Sequence, residues 1–575
     1  MFTEATVKRW FFDSEKFSER VIIMKLLKAL ICIIIAAVTV IIILFCTKGN
    51  YSFTVDITEK GHTLSNVASN VNIWSVEGNP FVNATASEEY NIFEFVDYVQ
   101  FMQCSGGTET RDLFVSPTDT SILTDYDFTL LVENCRGVLG LGAKPMLKLG
   151  GVPLKYSSAA RTDHGFGMNP YPPDDYNVYY DYIYALATAL VDEFGREEVL
   201  TWRFGVMTEY ENKDWFMAVD ESEQSSAEAY CKLYDYTVQA LIDAIGEDVF
   251  VGAHSMTVTE GLWDEALFIE HCAKGTNHKT GEQGSRLCYL SASFYDNTPG
   301  EYTKGYTLPE TIEYLRKTAE SYGLDNLIYG IDEGRILCGT TSGTTGNELL
   351  TRISGYTYQA SYDARLYKQM LENNINYFSS WGYLSGGLLS GNPTVSYHVA
   401  KLTSEFENST LVSTKKDSGF SFGAEIDAVS AYNSETGTLR IMAYNFKNKL
   451  NYNSAANLDF EISVPDSDGK KVNVTTYIVD DDCNYFDEWL LDRKTYNITD
   501  DCFSWSPDDP QIDNSITLSD ENAREIYFNE LYKKYAECSV LTPETSELTV
   551  ADGKIELDIT LEPHAVVFFE ITAES

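Results

Sequence analysis

Eight short apolar runs, evenly spread, constrain this chain more than any other feature. They span residues 72–76, 98–103, 144–149, 200–207, 248–253, 287–295, 326–332 and 376–381. Each has the length and apolar character of a strand buried on both faces. Helical-period stretches lie between them. Residues 179–194 put Tyr179, Ile183, Leu186 and Leu190 on one face, and Gly195 is placed to stop the helix. The stretch 226–245 closes at Gly246 in the same way, and 310–322 starts after Pro309 and ends before Gly323. Residues 360–374 lead into the eighth run. Eight such units predict a (β/α)8 barrel over residues 51–395, with long loops. No G-x-G-x-x-G follows the first run, so an open dinucleotide-binding sheet lacks its fingerprint.

The pattern changes after about Ser396. Alternating runs at 439–444, 458–464, 472–479, 555–561 and 565–571 are separated by turn sequences such as Ser434-Glu-Thr-Gly437 and Asp552-Gly553. They predict an antiparallel β-sandwich over 396–575. Residues 51–57 also alternate and can add a strand to it from the far end of the chain. The acidic stretch 480–487 lacks the EF-hand pattern and reads as a solvated turn rather than a calcium loop.

Residues 26–46 are apolar except for Lys28 and Thr39, long enough to cross a ~30 Å hydrocarbon layer. Lys8, Arg9, Lys16, Arg20, Lys25 and Lys28 precede the apolar centre, and basic residues are sparse after it. The positive-inside rule then places 1–25 in the cytoplasm and the remainder outside the cell membrane, held by a single N-terminal helix. Bulky Leu44-Phe45-Cys46 makes a poor cleavage site, which favours an uncleaved anchor over a signal peptide.

With 86 acidic and 42 basic residues the net charge is -44, which disfavours nucleic acid as a partner. No C-x-x-C occurs among the 11 cysteines, and no H-E-x-x-H among the seven histidines, so no metal site or cofactor is expected. Cys483 with Cys502 is the first disulfide pair to test; buried free thiols are expected for most others. An esterase elbow and a Walker A loop are also missing.

Two glutamates carry the chemistry. Glu209 stands two residues past the fourth apolar run and Glu333 directly follows the seventh. A carboxylate at the C-terminal end of a barrel strand is where such barrels place their reactive groups, and two carboxylates suffice to hydrolyse a glycosidic bond. Glu211, two residues past Glu209, is the nearest competitor. Trp381 ends the eighth run and Trp74 lies within the first; both are flat apolar rings.

At this level the chain resembles glycoside hydrolase family 39, the β-xylosidases and α-L-iduronidases of the two-glutamate barrel clan. The resemblance is carried by Ala143-Lys-Pro-Met-Leu-Lys-Leu-Gly-Gly-Val-Pro153, by Glu193-Phe-Gly-Arg-Glu-Glu-Val199 leading into Trp202-Arg-Phe204, and by Thr208-Glu209-Tyr210. Asp214-Trp215-Phe216, Tyr230-Cys-Lys-Leu-Tyr234 and Leu439-Arg-Ile-Met-Ala-Tyr-Asn445 add to it.

The resemblance implies a retaining glycosidase acting on an oligo- or polysaccharide. Glu333 would be the nucleophile and Glu209 the acid/base; Tyr295 would orient Glu333 and Trp381 would floor the sugar subsite. Three positions depart from the family. Thr208 replaces an asparagine that contacts the sugar 2-hydroxyl, Gln100 stands where an arginine is usual, and Ser293 replaces the histidine of His-x-Tyr. These departures bear on the sugar contacts. They also define a rival reading, a decayed barrel that binds or helps assemble carbohydrate. The short linker after the anchor favours surface polysaccharide as the substrate, since a tethered enzyme acts within its reach.

Overall fold

The computed structural model describes residues 49–573 apart from 258–260, 296–306, 336–355, 386–387, 390, 422, 450, 465–466, 503–517 and 519. The expected anchor at 26–46 and the segment 1–25 lie outside the described residues. Among the described residues, no helix is long and apolar enough to cross a membrane.

The first strand, β1 (Asn50–Thr63), belongs to the C-terminal sheet. Eight parallel strands follow and close into a barrel. They are β2 (Asn70–Ile73), β3 (Tyr98–Phe101), β4 (Lys144–Leu149), β5 (Arg203–Val206), β6 (Phe250–Ser255), β7 (Tyr289–Tyr295), β8 (Ile328–Arg335) and β9 (Tyr377–Ser380). β9 pairs back onto β2 through Asn70 and Val71. The main surrounding helices are α1 (Thr129–Gly140), α2 (Tyr176–Phe194), α3 (Glu223–Ile245), α4 (Ala266–Lys274), α5 (Leu308–Ser321) and α6 (Tyr358–Glu372).

Local chemistry sets their ends. The Asp175 carboxylate accepts from the Asn177 N–H at 2.8 Å to cap α2, which buries Tyr179, Tyr182, Ile183, Leu186 and Leu190 against the barrel. Thr307 caps α5, with a proline in the first turn. Inside the barrel, Met146, Tyr289 and Tyr377 form a separate buried floor cluster. The large rings need small neighbours: a Cβ on Gly252 would lie 2.3 Å from Tyr289, and one on Gly330 2.3 Å from Tyr377.

The C-terminal domain holds β10 (Thr410–Ser418), β11 (Glu425–Asn433), β12 (Thr438–Phe446), β13 (Ala456–Ser463), β14 (Lys471–Val479), β15 (Glu544–Thr549), β16 (Lys554–Leu561) and β17 (Val566–Ala573). With β1 they form one nine-stranded sheet in the order β15-β14-β17-β12-β11-β10-β1-β13-β16. The sheet folds over itself: Phe460 on β13 meets Phe569 on β17 with ring centroids 5.7 Å apart, although several strands separate them in the sheet. Irregular pairing along β1, between Asp56 and Thr63, accompanies the bend.

Three details differ from the sequence expectation. The sheet is mixed, because β1 runs antiparallel to β10 but parallel to β13. No hairpin ties β1 to either neighbour, so the usual antiparallel constraint does not act on it. Cys483 and Cys502 are free thiols, not a disulfide. Finally, a helical insertion lies between β14 and β15, and the boundary expected at 395/396 falls within the helix Val395–Ser404. The insertion has its own core of Tyr485, Phe486, Trp489, Tyr527, Leu531 and Tyr535. It docks on the barrel side: Asn392 donates to the Tyr532 carbonyl, and His398 meets the Ser539 carbonyl at 2.8 Å.

Candidate active site

The chain leaves β5 in a strained turn. Met207 has φ 67° and Glu209 φ 45°, left-handed conformations that cost a non-glycine residue about 1–2 kcal/mol each. Neighbouring backbone holds the turn: the Met207 N–H donates to the Leu149 carbonyl at 2.6 Å and the Tyr210 N–H to the His254 carbonyl at 2.9 Å. The turn places the Glu209 side chain in the barrel mouth, 7% exposed.

The Glu209 carboxyl accepts from the Ser293 hydroxyl at 2.5 Å and from the Asn212 amide at 2.7 Å. Burial and then the negative charge of Glu333 raise its pKa to about 7, against the opposing pull of Ser293, Asn212 and Trp215. Glu333 projects from β8, also 7% exposed, and accepts a short hydrogen bond from the Tyr295 hydroxyl. β7 ties the two together. Ser293 is the register partner of Glu333 across the β7–β8 ladder, and its hydroxyl reaches Glu209.

Below the glutamates lies a buried ion pair that sequence reasoning missed. Lys148 on β4 meets Asp332 on β8 at 2.5 Å, both side chains fully buried, and the Tyr377 hydroxyl donates to Asp332 at 2.6 Å. Desolvation pulls the Lys148 pKa down, while Asp332, Glu333 and Glu209 pull it up. The signal was a lysine inside an apolar strand, which is costly unless paired.

Gln100 is not at the mouth. It is fully buried, and its amide nitrogen donates to Asn72 at 2.7 Å and to the Asp332 carbonyl at 3.0 Å. Asn72 donates to the same carbonyl at 2.8 Å. Both amide hydrogens of Gln100 are thus used, and it holds the backbone just before Glu333 instead of contacting a ligand. Thr208 is 1% exposed and donates to the Met102 carbonyl at 3.3 Å, beside a small cavity lined partly by Gln103, Lys148 and Trp215.

Glu211 points away to β6, accepting from Ser255 at 2.6 Å and from the Met256 N–H at 2.7 Å, so it braces the loop. Behind Ser293 stands His254, fully buried, with Nε2 2.9 Å from the serine hydroxyl. Burial drives the His254 pKa well below the ordinary value, which keeps the ring neutral. An imidazole thus stays in the hydrogen-bond chain, one residue further back and from the neighbouring strand. Sequence reading missed it because the height at which His254 on β6 meets Ser293 on β7 leaves no trace in a local pattern.

An aromatic wall completes the described part of the mouth. Trp74 lies 6.4 Å from Trp381 and 5.6 Å from Trp215, and Phe166 stacks on Trp215 at 4.4 Å. Trp74 and Trp381 are partly exposed, as a platform requires, and Phe166 is 43% exposed. Phe166 lies in a polar loop and gave no sequence signal. The assembled groups are two buried carboxyls, of which Glu209 is pushed up to about 7, their orienting hydroxyls and an apolar wall.

Residues 112–422 match the model of Glycosyl hydrolases family 39. Two curated relatives are named β-xylosidase. One, from Geobacillus stearothermophilus, is 28% identical over 26% of this chain and 28% of its own length. The other, from Caldicellulosiruptor saccharolyticus, is 31% identical over 28% of this chain and 31% of its own length. The matched segment thus spans about a third or less of each relative. A solved bacterial orthologue of human α-L-iduronidase shares the fold with TM-score 0.61 at 16% identity, covering 92% of this chain and 84% of that one.

Proposed function

We propose that this chain, which belongs to Glycosyl hydrolases family 39, hydrolyses O-glycosidic bonds with retention, with Glu333 as nucleophile and Glu209 as acid/base. The observation that carries the reading is the shared hold of Ser293. It stands in register with Glu333 and bonds Glu209, which brings the two carboxyls to neighbouring positions in one mouth. A retaining mechanism requires them about 5–5.5 Å apart.

In the first step the Glu333 carboxylate attacks the anomeric carbon as the bond to the leaving oxygen breaks. Glu209, protonated up to a pKa of about 7, gives its proton to that oxygen. Loss of the leaving group frees Glu209 as a carboxylate. It then takes a proton from water, whose oxygen attacks the same carbon and releases Glu333. The anionic intermediate state of Glu209 is favoured by the Ser293 and Asn212 donors. Tyr295 holds Glu333 in its attacking orientation. Trp74 and Trp381 cover the apolar face of the sugar.

The substrate proposed is a xyloside-, iduronide- or surface-polysaccharide-type glycan. The xyloside class rests on the names of the curated relatives. The surface location rests on the apolar, charge-flanked segment 26–46. The test is hydrolysis by the full-length chain of aryl β-xylosides, α-L-arabinosides, β-glucosides and α-L-iduronides, with Glu333→Gln as the blank. Turnover on one sugar, lost in the variant, supports the proposal; equal turnover by the variant refutes it.

A further inference from the structure

The end of the barrel opposite the glutamates carries a second cluster. Asp235 lies midway along α3 with its side chain fully buried. His271, in the last turn of α4, brings Nε2 to 3.1 and 3.0 Å from the two Asp235 oxygens. The connection from α4 to β7 then returns over the same spot. His278 on that connection stacks its ring on His271, centroids 5.4 Å apart and planes at 19°. The Asp235 oxygen and the two ring nitrogens all lie within 4.8 Å of one another.

We propose that Asp235, His271 and His278 form a zinc-class metal site that clips the α4–β7 connection to the helical layer. Tetrahedral zinc, with bonds of about 2.0–2.1 Å, sets its ligands about 3.3 Å apart. The Asp235–His271 separation is already close to that, and His278 needs a small approach. Two imidazoles and one carboxylate suit zinc or a neighbouring transition ion and not calcium or magnesium, which take oxygen ligands. His278 is exposed, so water can fill the fourth position.

The surroundings are built to orient the set. The Ser285 hydroxyl and the His278 N–H, at 2.7 Å for the latter, both donate to Asp235. Such outer partners fix a ligating carboxylate without using all its lone pairs. The connection itself is braced by a Thr276–Gln283 bridge and by Asn277, whose side chain accepts from the Lys279 and Thr280 N–H groups at 2.9 Å each. Connections leading into barrel strands lie at the face opposite the reactive mouth, so the role proposed is structural.

The test uses the full-length chain after chelator treatment, titrated calorimetrically with Zn²⁺ and followed by thermal unfolding. One ion per chain is expected, with a rise in Tm. Affinity should fall at least tenfold, and the Tm rise vanish, in His278→Ala, an exposed position that the fold tolerates; His271→Ala should behave alike. Ca²⁺ at the same concentration should not reproduce the Tm rise. The absence of saturable binding would overturn the proposal. So would Zn²⁺ binding that survives both substitutions, because it would then come from the acidic surface.

Discussion

The Ser293 hydroxyl donates to Glu209 at 2.5 Å from the strand position that pairs directly with Glu333. One side chain therefore orients Glu209, the proposed acid/base, while its backbone stands in register with Glu333, the proposed nucleophile. Ser293→Ala removes a donor that favours the ionised carboxyl, so the Glu209 pKa should rise above about 7. The alkaline limb of the kcat/KM profile should move upward and kcat should drop about tenfold, the worth of one charge-assisted hydrogen bond. An unmoved alkaline limb would sever Ser293 from the acid/base.

Glu209→Gln should cost about 10²–10⁴ in rate on glycosides with poor leaving groups, the usual range for lost general acid catalysis. Aryl glycosides with acidic phenols should suffer less in the first step. Added azide should restore turnover by attacking the glycosyl intermediate without base assistance. Uniform loss across leaving groups would contradict the assignment.

Lys148→Met should destabilise the fold by about 3–5 kcal/mol, because it leaves the Asp332 charge buried without its partner. Lys148→Met with Asp332→Asn should recover much of that loss. Urea unfolding of the three proteins measures this; additive losses would show that the two residues do not act as a pair.

Two histidines at domain junctions make stability fall in acid. Burial lowers the pKa of His398 and of His564 from 6.5 to about 4. Between those values the unfolded chain binds more protons, so stability rises with pH there. The contribution is complete above about 6.5 and is lost as pH falls to about 4. Linkage caps it at on the order of 3 kcal/mol per histidine. His398 meets the insertion at the Ser539 carbonyl, and His564 meets Ser361 on α6 at 3.1 Å. His398→Gln should therefore flatten the dependence of Tm on pH between 6.5 and 4.5. Parallel curves for variant and parent would rule out this role.

The barrel was legible because each of its strands is a short apolar run bounded by helical periodicity. The predicted run 144–149 matches β4, and 287–295 overlaps β7 to within two residues. The strand-end positions of Glu209 and Glu333 were legible for the same reason, lying just past where those runs stop. Gln100 was placed by resemblance at the strand position of an arginine, but its depth in the barrel, where it is fully buried and holds the Asp332 backbone, was not legible. Lys148 on β4 and Asp332 on β8 meet across the barrel interior, and His254 meets Ser293 through matched heights on adjacent strands; no local pattern holds either relation. The helical insertion went unread although Ala523, Tyr527, Leu531 and Tyr535 recur every four residues; its core is largely aromatic, with ring centroids of Tyr485 and Tyr535 4.9 Å apart.

The most direct test of the two-glutamate account is covalent trapping. A 2-deoxy-2-fluoro glycoside of the sugar that the hydrolysis panel identifies should inactivate the full-length chain with a stoichiometry of one. Peptide mapping should then place the added mass on Glu333, and Glu333→Gln should take up none. A label on any other carboxylate, or steady hydrolysis of that sugar with an inverted product and no trapped intermediate, would contradict the account.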